Sequence, residues 1–155
     1  MTSTVLLTGA TGSLGAQIAR RLLARGDLDL YVLVRSEDED SARGRLRREW
    51  WDWEDLREAA SARVRVVPGD VSKLRLGLSD TTYAELTAKL THIIHAAADV
   101  RLFEPLESLR AVNALGTCHA LDLARAAHAD HGLERFGHVS TAYVAGRCDG
   151  LVTED

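Results

Sequence analysis

The residues with the most chemistry in them stand in one stretch, Thr8-Gly9-Ala10-Thr11-Gly12-Ser13-Leu14-Gly15. Three glycines spaced Gly-x-x-Gly-x-x-Gly follow the apolar run Thr4-Val5-Leu6-Leu7. A helical pattern of Ile18, Leu22 and Leu23, with Ala16 and Ala19 between them, opens directly behind. A strand that breaks into such a turn and restarts as a helix offers an anion its open backbone N–H groups and the positive end of the helix dipole. Glycines there let a pyrophosphate lie against the chain. An ordinary strand-to-helix turn can carry the same spelling, so the turn alone does not establish a dinucleotide site.

Further candidates recur at strand ends. Leu30-Tyr31-Val32-Leu33-Val34 ends at Arg35, where an acid would hold ribose hydroxyls. A guanidinium there can instead grip a 2′-phosphate in a two-pronged fork, the alternative being a surface arginine at a strand end. Arg45 is the candidate to add to that grip, whereas Arg47 and Arg48 read as a solvated face. Asp70-Val71 follows Pro68-Gly69 at the end of another strand, placed to accept from an adenine amino group and to donate a backbone N–H. A plain turn aspartate is the other reading of Asp70. Ala96-Ala97-Ala98 leave room for a cofactor backbone, His95 before them reads as a core or edge histidine, and Ser140-Thr141 close the series. His128 and His131 share a helix face with no cysteine or carboxylate to complete a metal set, so no metal site is expected.

These positions need strands 4–7, 30–34, 63–67, 92–95 and 136–139, joined by helices. One helix follows Gly12 and turns at Gly26-Asp27; a single long helix covers Ser41 to about Ala62; a third runs over Asp80–Leu90 with Ser79 as its cap; a last runs from Pro105 to about His131. Alternating strands and helices predict an α/β fold, a doubly wound, Rossmann-like parallel sheet of about five strands covered on both faces. Trp50, Trp51 and Trp53 are expected to pack the long helix onto its neighbours, and Glu37 to Asp40 to form a solvated acidic loop. Asn113, among Ala111, Val112, Ala114 and Leu115, looks like a buried polar group.

Bulk properties narrow the class. The 155 residues, 46% hydrophobic and 27% charged, suit one globular domain over residues 1–155. A net charge of −4 argues against a nucleic-acid partner, and no apolar run reaches membrane-spanning length. No signal-peptide pattern opens the chain, and Cys118 and Cys148 read as reduced thiols, which together predict a cytoplasmic location.

The segments TGATGSLG, LYVLVR, PGDVSKLRLGLSD, HAAADVRLFEPLESLRAVNALGT and HVSTAYVAG, in that order, resemble the thioester reductase domains of the extended short-chain dehydrogenase/reductases. Carboxylic acid reductases and fatty acyl-CoA reductases share the pattern, and Arg75-Leu76-Gly77-Leu78 sets it apart from sugar-nucleotide enzymes. Arg35 in place of an acid predicts NADP(H) as the cofactor of such a domain. By the resemblance, Gly9, Thr11, Gly12, Ser13, Leu14 and Gly15 would bind its pyrophosphate, Arg35 the 2′-phosphate, Asp70 and Val71 the adenine, and Ala96, Ala97 and Ala98 its inner part. Thr141 matches the catalytic Ser/Thr position, with Ser140 second, and Asn113 a residue that shapes the site from its helix. The implied reaction is reduction of an acyl thioester, on a carrier-protein phosphopantetheine arm or on CoA, to an aldehyde or alcohol. One departure is large: the family's proton-donating Tyr precedes a Lys by four residues, whereas Tyr143 is followed at that interval by Arg147 and lies too near Thr141. The chain is therefore expected to be the N-terminal, cofactor-binding part of such an enzyme, truncated after the fifth strand and inactive alone. A non-catalytic NADP(H)-binding module, and an epimerase or dehydratase of sugar nucleotides, are the alternatives.

Overall fold

The computed structural model describes residues 3–141 and 146–153. Five strands, β1 (Ser3–Thr8), β2 (Leu28–Arg35), β3 (Val64–Gly69), β4 (His92–His95) and β5 (Arg135–His138), form one parallel sheet ordered β3-β2-β1-β4-β5. The alternation of side chains along each strand feeds two separate cores. Val5, Leu7, Leu30, Val32, Val34, Val64 and Val66 face one side, and Leu6, Tyr31, Leu33, Val67 and Ile93 the other. This is why β2 reads as an unbroken apolar run: both of its faces are covered.

On the first face lie α1 (Ser13–Arg25), α2 (Glu39–Glu49) and α3 (Glu54–Ala62); on the second lie α4 (Asp80–Lys89) and α6 (Gly116–His131), the latter preceded by the short α5 (Leu106–Arg110). Gly26, at φ 84, ends α1 in the left-handed conformation that glycine adopts without cost. Ser79 caps α4 by accepting from the Thr82 N–H, as expected from its sequence.

Four expectations need correction. The single helix over 41–62 is two helices. After α2 the chain turns at Trp50, whose buried indole N–H donates to the Ala10 carbonyl at 2.9 Å, and α3 starts anew at Glu54. Trp50 and the half-buried Trp53 pack as expected, but Trp51 is 66% exposed, with Arg57 over its ring. Asp38 does not sit in a solvated acidic loop: it caps α2, holding the Ser41 N–H at 2.8 Å, with Glu39 and Asp40 in the first turn. Those charges favour a helix N-terminus, and the bonds to Ser41 hold the Asp38 carboxyl below its usual range. Last, the helix read from Pro105 to His131 carries a π turn, Ala111–Leu115, between α5 and α6.

Candidate functional site

The sheet order reverses between β1 and β4, and a crevice opens at such a switch point beyond the carboxyl ends of the strands. Here it is a cleft of about 460 Å³, lined by Gly9, Thr11 and Gly12 from the β1 turn, Leu33 and Arg35 from β2, Gly69, Asp70 and Val71 from β3, and Ala96 to Arg101 after β4. Arg45 and Val112 complete the wall. Four of the strand ends singled out by residue type thus meet in one place.

The turn after β1 is built tightly. Gly9 is at φ +77, and a Cβ on it would lie 2.6 Å from the Ala96 carbonyl and the Ala97 nitrogen. The Gly12 N–H returns to the Gly9 carbonyl at 3.0 Å, and Gly12 stands as the N-cap of α1. Gly15 is buried beneath the turn, where a Cβ would fall 2.0 Å from the Gly9 oxygen. Ser13 and Leu14 are exposed. With Gly15 they are the first three residues of α1, whose N–H groups have no carbonyl to pair with inside a helix. Only Gly12, with its nearest neighbour at 3.4 Å, has an open side.

Arg35 is exposed at the end of β2, and Arg45 donates through Nη1 to the Arg35 carbonyl at 3.1 Å. Among the described residues neither guanidinium is paired with a carboxylate. Arg43 is tied to Glu39, while Arg47 lines a separate cleft of about 350 Å³ beside Trp51. Asp70 makes the turn that one reading of its type expected. Its Oδ1 accepts from the Ser72 N–H at 2.9 Å and the Ser72 hydroxyl at 2.7 Å, which makes the turn, while the residue still lines the cleft. Gly69 below it is obligatory, since a Cβ would meet the Leu76 carbonyl at 2.6 Å. Arg75, Leu76 and Gly77 form a left-handed turn with φ of 54, 61 and 67, and Arg75 is held there by Asp80 and the Tyr83 ring.

Asn113 is exposed, not buried, and does not line the cleft itself. It clasps the chain that does: the Asp99 N–H donates to Oδ1 at 2.7 Å and Nδ2 donates to the Asp99 carbonyl at 2.8 Å. Ser140 and Thr141 are exposed just past β5, on the same edge of the sheet, and are not among the cleft-lining residues. Tyr143 lies outside the described residues.

Asp99 and Arg101 escaped the sequence reading. Arg101 bonds both Asp99 oxygens, at 2.9 and 2.6 Å, and lies 2.7 Å from Glu104. These bonds, with a weaker contribution from Arg35, hold the Asp99 carboxyl down to about 2. An acid and a base two residues apart in a loop were the one available signal. His128 and His131 bond the Leu133 and Leu90 carbonyls.

The donors fit the phosphates of a dinucleotide. A cradle left open at Gly12, the free first turn of a 13-residue helix and two guanidinium groups without carboxylate partners suit an anionic, phosphate-bearing ligand. Among the described residues no helix is long and apolar enough to cross a membrane.

Known proteins carry the same pattern. The Male sterility protein family model matches residues 7–155. Glycine betaine reductase of Emericella nidulans is 40% identical over 126 residues, 78% of this chain and 10% of that protein. Alcohol-forming fatty acyl-CoA reductase of Simmondsia chinensis is 31% identical over 97% of this chain and 33% of its own length. The crystal structure of the terminal R domain from the myxalamid PKS-NRPS biosynthetic pathway superposes with a TM-score of 0.77 at 37% identity, over 90% of this chain and 35% of that one. The chain thus spans from about a tenth to about a third of these relatives.

Proposed function

The chain belongs to the Male sterility protein family of reductase domains, and from that premise we propose that residues 1–155 are the cofactor-binding part of an NADPH-dependent thioester reductase. The observation that carries the reading is the convergence of the open Gly12 cradle with Arg35 and Arg45 in one cleft. The N–H groups of Ser13, Leu14 and Gly15 would hold the pyrophosphate, with Gly9, Thr11 and Gly12 leaving it room. Arg35 and Arg45 would take the 2′-phosphate, Asp70 and Val71 the adenine, and Ala96 to Ala98 the inner ribose. When bound, the cofactor supplies a hydride to the carbonyl of an acyl group carried as a thioester on a carrier protein or CoA. Thr141 would donate a hydrogen bond to the carbonyl oxygen as negative charge develops there, with Ser140 beside it.

The test is a titration with NADPH and NADH. A guanidinium on a phosphate contributes about 1.5–3 kcal/mol, so the chain should prefer NADPH by roughly tenfold to a hundredfold, and Arg35→Ala should abolish most of that preference. Equal affinities for the two cofactors in the unsubstituted chain would refute the assignment.

A further inference from the structure

Thr8 and His95, each 0% exposed, are the buried polar residues among those described, and the cleft chemistry uses neither. One placement of protons on the neutral ring satisfies both neighbouring hydroxyls and both ring nitrogens at once. The Thr117 hydroxyl oxygen lies 2.8 Å from the Asn113 carbonyl and 3.3 Å from His95 Nε2. A carbonyl has no proton to give, so the hydroxyl proton of Thr117 is committed to it. In that placement His95 carries its proton on Nε2 and donates to Thr117. On the other side Thr8 Oγ1 accepts from the Ala97 N–H at 3.2 Å and lies 2.8 Å from His95 Nδ1. With the ring proton on Nε2, Nδ1 is a lone pair, and the Thr8 hydroxyl donates to it.

The resulting chain runs from the Ala97 N–H through Thr8, His95 and Thr117 to the carbonyl of Asn113. The side chain of that same Asn113 clasps Asp99 at both its N–H and its carbonyl. The segment from Ala97 to Asp99, which lines the cleft, is thus tied at both ends to the π turn.

We propose that His95 is a positioning residue: as a neutral ring protonated on Nε2, it locks the Ala97–Asp99 floor of the cleft to the π turn and sets the depth at which a nicotinamide dinucleotide lies. This rests on the cofactor reading of the cleft. Thr8 from β1, Thr117 from α6 and His138 from β5 face the ring, the His138 ring being stacked on it at 5.6 Å. Burial first, and the nearby His138 charge second, hold its pKa to about 4, so the relay persists through neutral pH. A second proton would turn Nδ1 into a donor facing the Thr8 hydroxyl.

The experiment is a nitrogen NMR spectrum of the 155-residue chain labelled at histidine, with His95 assigned by its loss in His95→Gln, together with amide exchange at Ala97. At pH 7 His95 should show a single neutral tautomer, protonated on Nε2. Thr117→Val should give a tautomer mixture, speed Ala97 exchange by roughly tenfold and weaken NADPH binding about threefold to tenfold, and Thr117→Ser should restore all three. A ring protonated on Nδ1, or a folded Thr117→Val chain with unchanged tautomer and exchange, overturns the relay. Absence of NADPH binding to the unsubstituted chain overturns the cofactor reading instead, and the spectrum and the exchange rate then decide the relay by themselves.

Discussion

Alanine substitutions at Gly12 and Gly15 should separate stability from binding. At Gly15 the new methyl group would lie 2.0 Å from the Gly9 oxygen and 2.8 Å from the Ala10 Cα, both backbone atoms that no rotamer change can move aside. Reaching an ordinary contact requires α1 and the turn to part by about 1.4 Å, an overpacking that costs about 1–3 kcal/mol. The gain of replacing a helical glycine, about 0.5–1 kcal/mol, offsets part of this. A net loss of about 1–2 kcal/mol lowers the melting temperature by about 2–8 °C in a domain of this size. Gly12 is different. Its φ of −91 and ψ of 163 suit any residue, and its nearest neighbour is 3.4 Å away. Gly12→Ala should therefore melt within about 2 °C of the parent, while its methyl group stands in the cradle and weakens NADPH by at least about tenfold. Differential scanning calorimetry and a cofactor titration on the same two variants read both quantities. Equal destabilisation by the two substitutions, or full NADPH binding by Gly12→Ala, would refute the division of labour within the turn.

Two further outcomes follow from buried polar groups. Trp50→Phe removes the indole N–H and leaves the buried Ala10 carbonyl unpaired, so urea denaturation should show a loss of about 1–3 kcal/mol, against no more than about 0.5 kcal/mol for the exposed Trp51→Ala. His95 has a folded-state pKa of about 4 against 6.5 when free; the unfolded chain takes up that proton first, so its contribution is fully present above pH 6.5 and is lost as pH falls toward 4. That slope, about 3 kcal/mol across the window, should be visible in urea midpoints and missing in His95→Gln.

The strands, the glycine turn and the strand-end residues were legible because they follow short local rules, apolar runs ending in glycine, arginine or aspartate. What escaped depends on contacts across the chain. Trp50-Trp51-Asp52-Trp53 contains neither glycine nor proline, so nothing local marks a helix end. The break is made by the distant Ala10 carbonyl drawing in the indole. The apolar neighbours of Asn113, Val112 and Ala114, say little about its own surroundings, because in a helix adjacent residues point elsewhere. The π turn rotates its face further, and its partner Asp99 lies in a loop without periodicity. The Thr8–His95 pair joins positions 87 residues apart.

That separation also orders the assembly of the molecule. β1 meets β2 across a loop of ordinary length, pairing Ser3 with Leu28, but it meets β4 only when Val5 finds His92. Closing the longer loop costs more chain entropy and slows folding. Apart from the segment after β4 and Val112 of the π turn, every wall of the cleft belongs to the earlier half-sheet, so no intermediate short of the β1–β4 seam encloses a ligand. A dinucleotide that binds here acts as a fastener on the last seam. Its binding energy adds to the stability of the finished fold alone, so the bound ligand lowers the population of the half-sheet that a protease would find.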